Sequence, residues 1–294
     1  MYLLLPFIAA ISFALGSIIY KRAYAEGAGV MHALVVNNVV LGFLFFPLMW
    51  LDPEPVPWKL AHLPLIAAVP FALGHLMNVA SLRVGDVSVA TPLLGAKVTF
   101  VALILWVVFH EPLSSSQWIA AGLTTTGVLV MGLTDLRPGR RLGLTTALAL
   151  GCAAAFAVTD VMIQMWASRI GVWNFLGLLF STLGVLSLAI LPFLGRAALR
   201  APKAAWKWIG FGVSMSGLQA ILITGSIGVW KDAAGANVVY STRGLLSIAF
   251  VWFIGHRLKN SERQSAGGRA MLQRTIGGIL ILAAVVLTAM GTKR

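Results

Sequence analysis

Two basic residues inside apolar stretches are the features of this sequence best suited to chemistry. Lys97 lies near the middle of the apolar stretch from Val87 to Phe109, and Arg243 lies in a second such stretch 146 residues later. An ammonium group in the middle of a membrane costs about 2.5–3.5 kcal/mol on insertion scales. Arginine binds a carboxylate or phosphate through its planar fork, and lysine binds it as a point charge. The two residues therefore predict an anion site, unless nearby carboxylates or carbonyls neutralise each of them for structural reasons.

Three polar residues in other apolar stretches are candidates to act with these cations. Asp160 is the main carboxylate inside an apolar stretch, and it is predicted to be a counter-ion of one cation or a proton-coupling acid. His75 and Asn78 are three residues apart and so share one helix face. Both could donate hydrogen bonds to a substrate, and polar contact between helices is the alternative for both.

Residues around Arg243 and Lys97 complete the predicted binding set. Tyr240 and Ser241 precede Arg243 closely and are predicted to line the same site. Trp106 and Trp252 are again 146 residues apart, one in each apolar stretch that holds a cation. Because both lie inside these stretches and not at their ends, they are predicted to form walls of a cavity.

The composition indicates a membrane protein that crosses the bilayer several times. Of 294 residues, 59% are hydrophobic and 11% are charged, whereas soluble domains carry about 25% charged residues. The net charge of +13 does not indicate nucleic acid binding, because the basic residues lie in short loops between apolar stretches. The sequence has one cysteine, Cys152, so no intrachain disulfide can form and a metal cluster is not expected. The N-terminal residues MYLLLPFIAAISFALG are interpreted as a first span and not as a removed signal.

Ten apolar spans can be assigned, and each is predicted to be a helix because backbone polar groups must be satisfied inside lipid. None has the alternating pattern of a barrel strand. The predicted fold is therefore an all-α integral membrane protein with ten transmembrane helices, at Leu3–Tyr20, Ala33–Trp50, Leu63–Leu82, Val87–Phe109, Trp118–Thr134, Leu142–Met165, Asn174–Leu194, Trp208–Val229, Ala236–Ile254 and Thr275–Met290.

Basic residues are distributed unequally between the two sides of this arrangement. Fifteen lie in loops on one side, and five lie on the side that both termini share. The positive-inside rule then predicts that the richer side is cytoplasmic and that both termini face outward. The predicted location is a bacterial inner (plasma) membrane.

The segment DLRPGRR at residues 135–141 divides the chain into two halves of five spans, predicted as residues 1–136 and 137–294. An odd number of spans in each half inserts the second half upside down, which gives an inverted repeat with a central site. Weak sequence matches support the repeat. Phe13-Ala14 matches Phe156-Ala157, and this alignment sets Ser17 opposite Asp160.

Residues Ala80–Met131 resemble the drug/metabolite transporter superfamily, in particular its ten-helix EamA-type members. The turn after the fourth span, His110-Glu111-Pro112-Leu113, is similar to the Gly-Glu-x-Leu turn of that family, with His in place of Gly. The second copy, Gly255-His256-Arg257-Leu258, lacks the Glu. The resemblance implies a transporter, and its family includes exporters of amino acids and other metabolites. Related groups bind phosphate through Lys and Arg on central helices.

These observations together predict a secondary transporter of a small polar metabolite that carries a carboxylate or phosphate. The alternatives are an exporter of aromatic or neutral amino acids in which the cations are structural, and a lipid flippase or passive channel. No phosphate loop, metal-ligand spacing or nucleophile–base set is found, so an enzyme, a cofactor, a metal and ATP are not expected. The expected partners are the substrate and the bilayer, in a monomer or homodimer.

Overall fold

The computed structural model describes residues 2–84, 93–132, 142–195, 200–254 and 268–291, and every regular element in these ranges is a helix. Short 3₁₀ turns join several of the α-helices. The α-helices are α1 (Leu4–Ala25), α2 (Val30–Phe45), α3 (His62–Val84), α4 (Lys97–Val107), α5 (Ser115–Gly132), α6 (Leu142–Trp166), α7 (Val172–Ala189), α8 (Lys203–Trp230), α9 (Ala233–Tyr240), α10 (Arg243–Ile254) and α11 (Gly268–Gly291).

The helices confirm the predicted all-α membrane fold. Six of the described stretches are long and apolar enough to cross a bilayer, and shorter apolar helices accompany them at Leu94–Val107 and Thr275–Gly291. Large apolar side chains such as Phe43 and Phe211 are exposed, as expected where lipid is the solvent.

Several helix boundaries differ from the prediction. α1 continues five residues past Tyr20, and α11 begins seven residues before Thr275. The ninth span is not one helix, because it breaks at Ser241–Thr242 into α9 and α10. The predicted boundary between the two halves lies within residues 133–141, which are outside the described residues, and it stays a prediction.

The largest contacts between helices each join one helix of the first half to one of the second. They are α1 with α8, α3 with α6, α2 with α7, and α5 with α11. In the repeat, α1 corresponds to α6 and α3 corresponds to α8, so the contact of α1 with α8 is equivalent to the contact of α3 with α6. The helices α2 and α7 correspond to each other, as do α5 and α11, so each of those two pairs is equivalent to itself. α4 packs on α6, and its counterpart α10 packs on α1 in the same way. The helix packing therefore has the twofold symmetry expected of an inverted repeat.

α5 and α11 approach each other closely at two glycines. A methyl group added at Gly127 would come 2.7 Å from the carbonyl oxygen of Gly277, and one added at Gly277 would collide with the carbonyl oxygen of Gly127. Small residues allow this approach of two backbones, and van der Waals packing of this kind drives helix association in lipid. Gly122, also on α5, has open space where its side chain would be.

We expect Gly127→Ala to destabilise the protein by about 1–3 kcal/mol, because the new methyl group must push α5 and α11 apart. Gly122→Ala is the matched control on the same helix and should be neutral or slightly stabilising. Thermal unfolding of both variants in the same detergent measures the difference. Equal melting temperatures would show that the Gly127 contact does not hold the halves together.

Candidate functional site

Lys97 and Arg243 occupy equivalent places at the start of two helices. Lys97 is the first residue of α4 and follows the 3₁₀ turn Leu94–Ala96. Arg243 is the first residue of α10 and follows the break at Ser241–Thr242. The fold thus places each cation where a membrane helix is interrupted, and in transporters such interruptions line binding sites.

Lys97 forms an ion pair with Asp160 across the two halves. Its Nζ lies 2.6 Å from Oδ2 of Asp160, with the Asp160 side chain 5% exposed and the Lys97 side chain 13% exposed. The amide Nδ2 of Asn237 donates a hydrogen bond to the same carboxylate oxygen at 2.6 Å and another to the Ala233 carbonyl at 2.9 Å. This arrangement joins α4, α6 and α9 through one carboxylate.

An aromatic ring lies against each cation, and the two rings are related by the repeat. Lys97 Nζ is 5.9 Å from the ring centroid of Phe156, and Arg243 Cζ is 4.8 Å from that of Phe13. Arg243 also lies 4.3 Å from the ring centroid of Tyr240. Rings at these distances attract cations. Phe13 and Phe156 are the residues that the sequence repeat aligns, so each half supplies a ring to the cation of the other half.

The carboxylate is present on one side of this symmetric arrangement only. Asp160 lies one helical turn after Phe156 and neutralises Lys97. Ser17 lies one turn after Phe13, and its hydroxyl donates to the Ala14 carbonyl at 2.8 Å. Within the described residues, Arg243 therefore has aromatic neighbours and no carboxylate partner.

The two cations belong to one neighbourhood. Cys152 interacts electrostatically with both Lys97 and Arg243, and Tyr240 does so with both Arg243 and Asp160. Tyr240 is 4% exposed and forms part of the packed wall of this region. Ser241 is also buried, and its hydroxyl donates to the Val238 carbonyl at 2.6 Å, so its hydrogen bond is made within its own turn.

His75 packs against Phe156, the ring that also lies near Lys97. The ring centroids of His75 and Phe156 are 5.4 Å apart, and His75 also packs against Phe71 at 4.8 Å. A methyl group at Gly74 would come 2.7 Å from the Phe156 ring, so this glycine makes room for it. Asn78 lies one turn further along α3 and is partly exposed. Within the described residues, the contacts of His75 are with aromatic rings, and no hydrogen bond or ion pair joins it to Lys97.

Trp106 lies away from the cations. It is 55% exposed and packs edge to face on Trp118, with ring centroids 5.9 Å apart. Nine residues separate it from Lys97, which is two and a half helical turns, so the two side chains point to opposite faces of α4. The predicted place of Trp106 in a cavity wall stays a prediction. Trp252 is part of α10, and its side chain is outside the described structure.

Three residues of this site are absent from the predicted binding set. They are Phe13, Phe156 and Asn237. The signal for the two phenylalanines was their alignment in the repeat, one turn before Ser17 and Asp160. Asn237 was visible as a polar residue six positions before Arg243, and only the fold shows that it reaches Asp160. Within the described residues, no group of three His, Cys, Asp or Glu side chains could hold a metal ion.

The chain is similar in sequence to a known protein family and similar in fold to a solved structure. The model of the EamA-like transporter family matches residues 1–133, somewhat less than half of the chain. One solved crystal structure superposes with a TM-score of 0.76 over 100% of this chain and 98% of its own, at 14% sequence identity, which shows a shared fold.

One curated relative is a "Probable 4-amino-4-deoxy-L-arabinose-phosphoundecaprenol flippase subunit ArnE" of Klebsiella pneumoniae (strain 342). It is 30% identical over 67 residues, which are 23% of this chain. The chain spans 60% of that relative's length. The family match confirms the resemblance found in Ala80–Met131. Residues 1–133 of this integral membrane protein are similar to the EamA-like transporter family.

Proposed function

We propose that the protein is a secondary transporter of a small metabolite whose carboxylate or phosphate binds to Arg243. The observation that carries the proposal is the unequal charge balance of the two equivalent positions. Lys97 is neutralised by Asp160, whereas Arg243 stands at the matching place with two aromatic rings and, in the described residues, no carboxylate. An unpaired charge inside a membrane is costly, so a bound anion would be strongly favoured there.

The substrate anion would take the place opposite Arg243 that Asp160 takes opposite Lys97. The planar guanidinium can bind two oxygens of a carboxylate or phosphate at once. The rings of Phe13 and Tyr240 lie against the guanidinium. Ser17 leaves this place without a charge of its own, and its side chain is small and partly exposed. Tyr240 and Ser241 then belong to the wall that supports Arg243, and their own bonds are largely made within the protein.

The pair of Lys97 and Asp160 would couple transport to a proton. Both partners of Asp160, the Lys97 ammonium and the Asn237 amide, bind its Oδ2 atom. The other oxygen, Oδ1, is left to accept a proton. Protonation would remove the negative charge, release Lys97, and provide a second cation for the anion that Arg243 holds. The ion pair also joins the two halves, so its opening would allow them to move against each other.

Transport of a lipid phosphate across the bilayer, as by a flippase, is the second candidate function. The name of the curated relative favours it. That relative is described as a subunit of a flippase for an aminoarabinose linked to phosphoundecaprenol, which is a lipid phosphate. A lipid phosphate would use the same cation, and its tail would need an opening toward the bilayer. For either substrate we place the protein in a bacterial inner membrane, acting without ATP, without nucleic acid and without a catalytic step, as a monomer or homodimer.

We expect Arg243→Gln to lower the affinity for anionic substrates by about tenfold or more, because hydrogen bonds to a charged group are worth about 1.5–3 kcal/mol. Binding to purified protein is measured by thermal shift against organic acids, phosphate esters, lipid phosphates and neutral amino acids. Arg169→Gln, which removes an exposed arginine, is the control. If neutral amino acids bind and the variant still binds them normally, the cation is structural and the amino acid exporter is favoured.

Ser17→Asp tests the same assignment by adding the missing carboxylate. The new aspartate should pair with Arg243 as Asp160 pairs with Lys97, and it should therefore compete with anionic substrates and abolish their uptake into proteoliposomes. Ser17→Asn is nearly the same size without the charge and should keep most of the activity. Equal loss in both variants would mean that space at residue 17 matters and that charge at Arg243 does not.

Asp160→Asn should uncouple transport from the pH gradient. The amide cannot be protonated, so we expect anion exchange to continue while accumulation driven by a proton gradient falls to background. Proteoliposomes with and without a pH gradient distinguish the two. A stability control is needed, because an unpaired buried Lys97 costs about 3–5 kcal/mol. The double variant Lys97→Met/Asp160→Leu should restore stability without restoring coupling. Normal gradient-driven accumulation by Asp160→Asn would exclude Asp160 as the coupling residue.

A further inference from the structure

A pocket between α2, α3 and α7 lies outside the site described above. Its volume is about 20 Å³, which is room for a group of about the size of a water molecule, and it is partly open. Four residues of α2, three of α3 and three at the end of α7 line it, namely Met31, Leu34, Val35, Asn38, Ala72, His75, Leu76, Leu186, Ser187 and Ile190. None of these lining residues is an acid, a lysine or an arginine.

Three of the lining residues have polar side chains, namely Asn38, His75 and Ser187. Asn38 is 2% exposed and donates from its amide to the Ser187 hydroxyl oxygen at 2.9 Å. The amide oxygen of Asn38 accepts from Asn37, whose own oxygen accepts from Tyr20. Asn38 is thus held by its neighbours on both ends. The Ser187 hydroxyl accepts one bond, and its proton is available for another.

His75 has an unused hydrogen-bonding atom beside this pair. Its Nδ1 atom is buried and has no hydrogen-bond partner within the described part of the chain. A buried polar atom without a partner is unfavourable, so a ligand that donates to it or accepts from it would bind more tightly for that reason. The imidazole ring itself is fixed by Phe71 and Phe156, which hold it at the pocket.

The surroundings of the pocket indicate where a ligand would come from. Leu34, Leu76 and Leu186 on its lining are partly exposed, and the neighbouring Leu73 and Leu188 are 47% exposed. These exposed leucines lie on membrane-spanning helices, so the surrounding solvent is the hydrocarbon of the bilayer. A ligand that enters past these leucines comes from the bilayer, which favours a neutral and largely apolar molecule.

We propose that this pocket binds a neutral molecule with an apolar body and one hydroxyl group, entering from the bilayer. The hydroxyl group enters the pocket and binds to Nδ1 of His75 and to Ser187, and the apolar body extends from it over the partly exposed Leu34, Leu76 and Leu186 toward the bilayer. The molecule is a membrane lipid alcohol or a small bilayer-soluble phenol, which share this chemistry. The proposal does not depend on the anion site, because in the described part of the chain no pocket residue forms a hydrogen bond or ion pair with Lys97 or Arg243.

The test is photolabelling of purified protein in nanodiscs with diazirine-bearing octanol, followed by mass spectrometry. We expect saturable labelling of pocket residues, and diazirine-bearing octane without the hydroxyl group should label them weakly. Ser187→Ala and His75→Phe keep the shape of the site and should each weaken saturable labelling by about two- to tenfold, as expected for one lost hydrogen bond. Competition by a long-chain alcohol alone identifies a lipid as the ligand, and competition by phenol alone identifies a small solute.

Ala72→Phe fills the pocket and should abolish the labelling, and Leu73→Phe, at the exposed neighbouring position, is its matched control. If Ala72→Phe does not fold, the two smaller variants give the result. The proposal is overturned if octane labels the pocket as well as octanol does, if neither competitor acts, or if labelling persists unchanged in folded Ala72→Phe. Each of these outcomes leaves the anion-site assignment at Arg243 untouched, since that is measured with other ligands and other variants.

Discussion

A positive charge buried within a membrane protein has to be balanced, and this requirement organises the centre of the molecule. The ammonium group of Lys97 is met by Asp160, whose carboxylate is in turn held by Asn237. Removing one partner from such a pair leaves an uncompensated charge, whereas replacing both with apolar residues can be neutral. A charged pair kept in this place is therefore weak evidence for stability. It is better explained by work that only a charge can do, such as binding an ion or taking up a proton.

The second organising feature is that the two halves complete each other. Each large helix contact joins the halves, and each cation lies against a phenylalanine from the opposite half. α5 and α11 meet at Gly127 and Gly277, where backbone approaches backbone. Because the contacts are shared in this way, neither half could form the central region alone. The pocket beside His75 belongs to a different part of this architecture, at the edge where α2, α3 and α7 face lipid.

Much of the fold followed from the sequence because lipid leaves few options for a backbone. The lengths of the apolar stretches were enough to predict helices. The spacing of 146 residues was enough to predict that Lys97 and Arg243 occupy equivalent positions. The break at Ser241–Thr242 was not predicted, because no proline or glycine marks those two positions. Helix periodicity places Trp106 on the face of α4 opposite Lys97, and its predicted place in a cavity wall stays a prediction. The partner of Lys97 could only be learned from packing, since Asp160 and Asn237 are far apart in the chain.

The presence of Ser17 where the other half has Asp160 has a consequence for the direction of the cycle. In an inverted repeat, the outward-open and inward-open forms arise when the halves trade conformations. If both halves carried the same residues, the two forms would be nearly equal in energy. Because one half has an acid and the other a hydroxyl, a buried electrostatic interaction would make the energies of the two forms unequal. In a transporter of this design, we expect that difference to bias the resting molecule toward one side of the membrane.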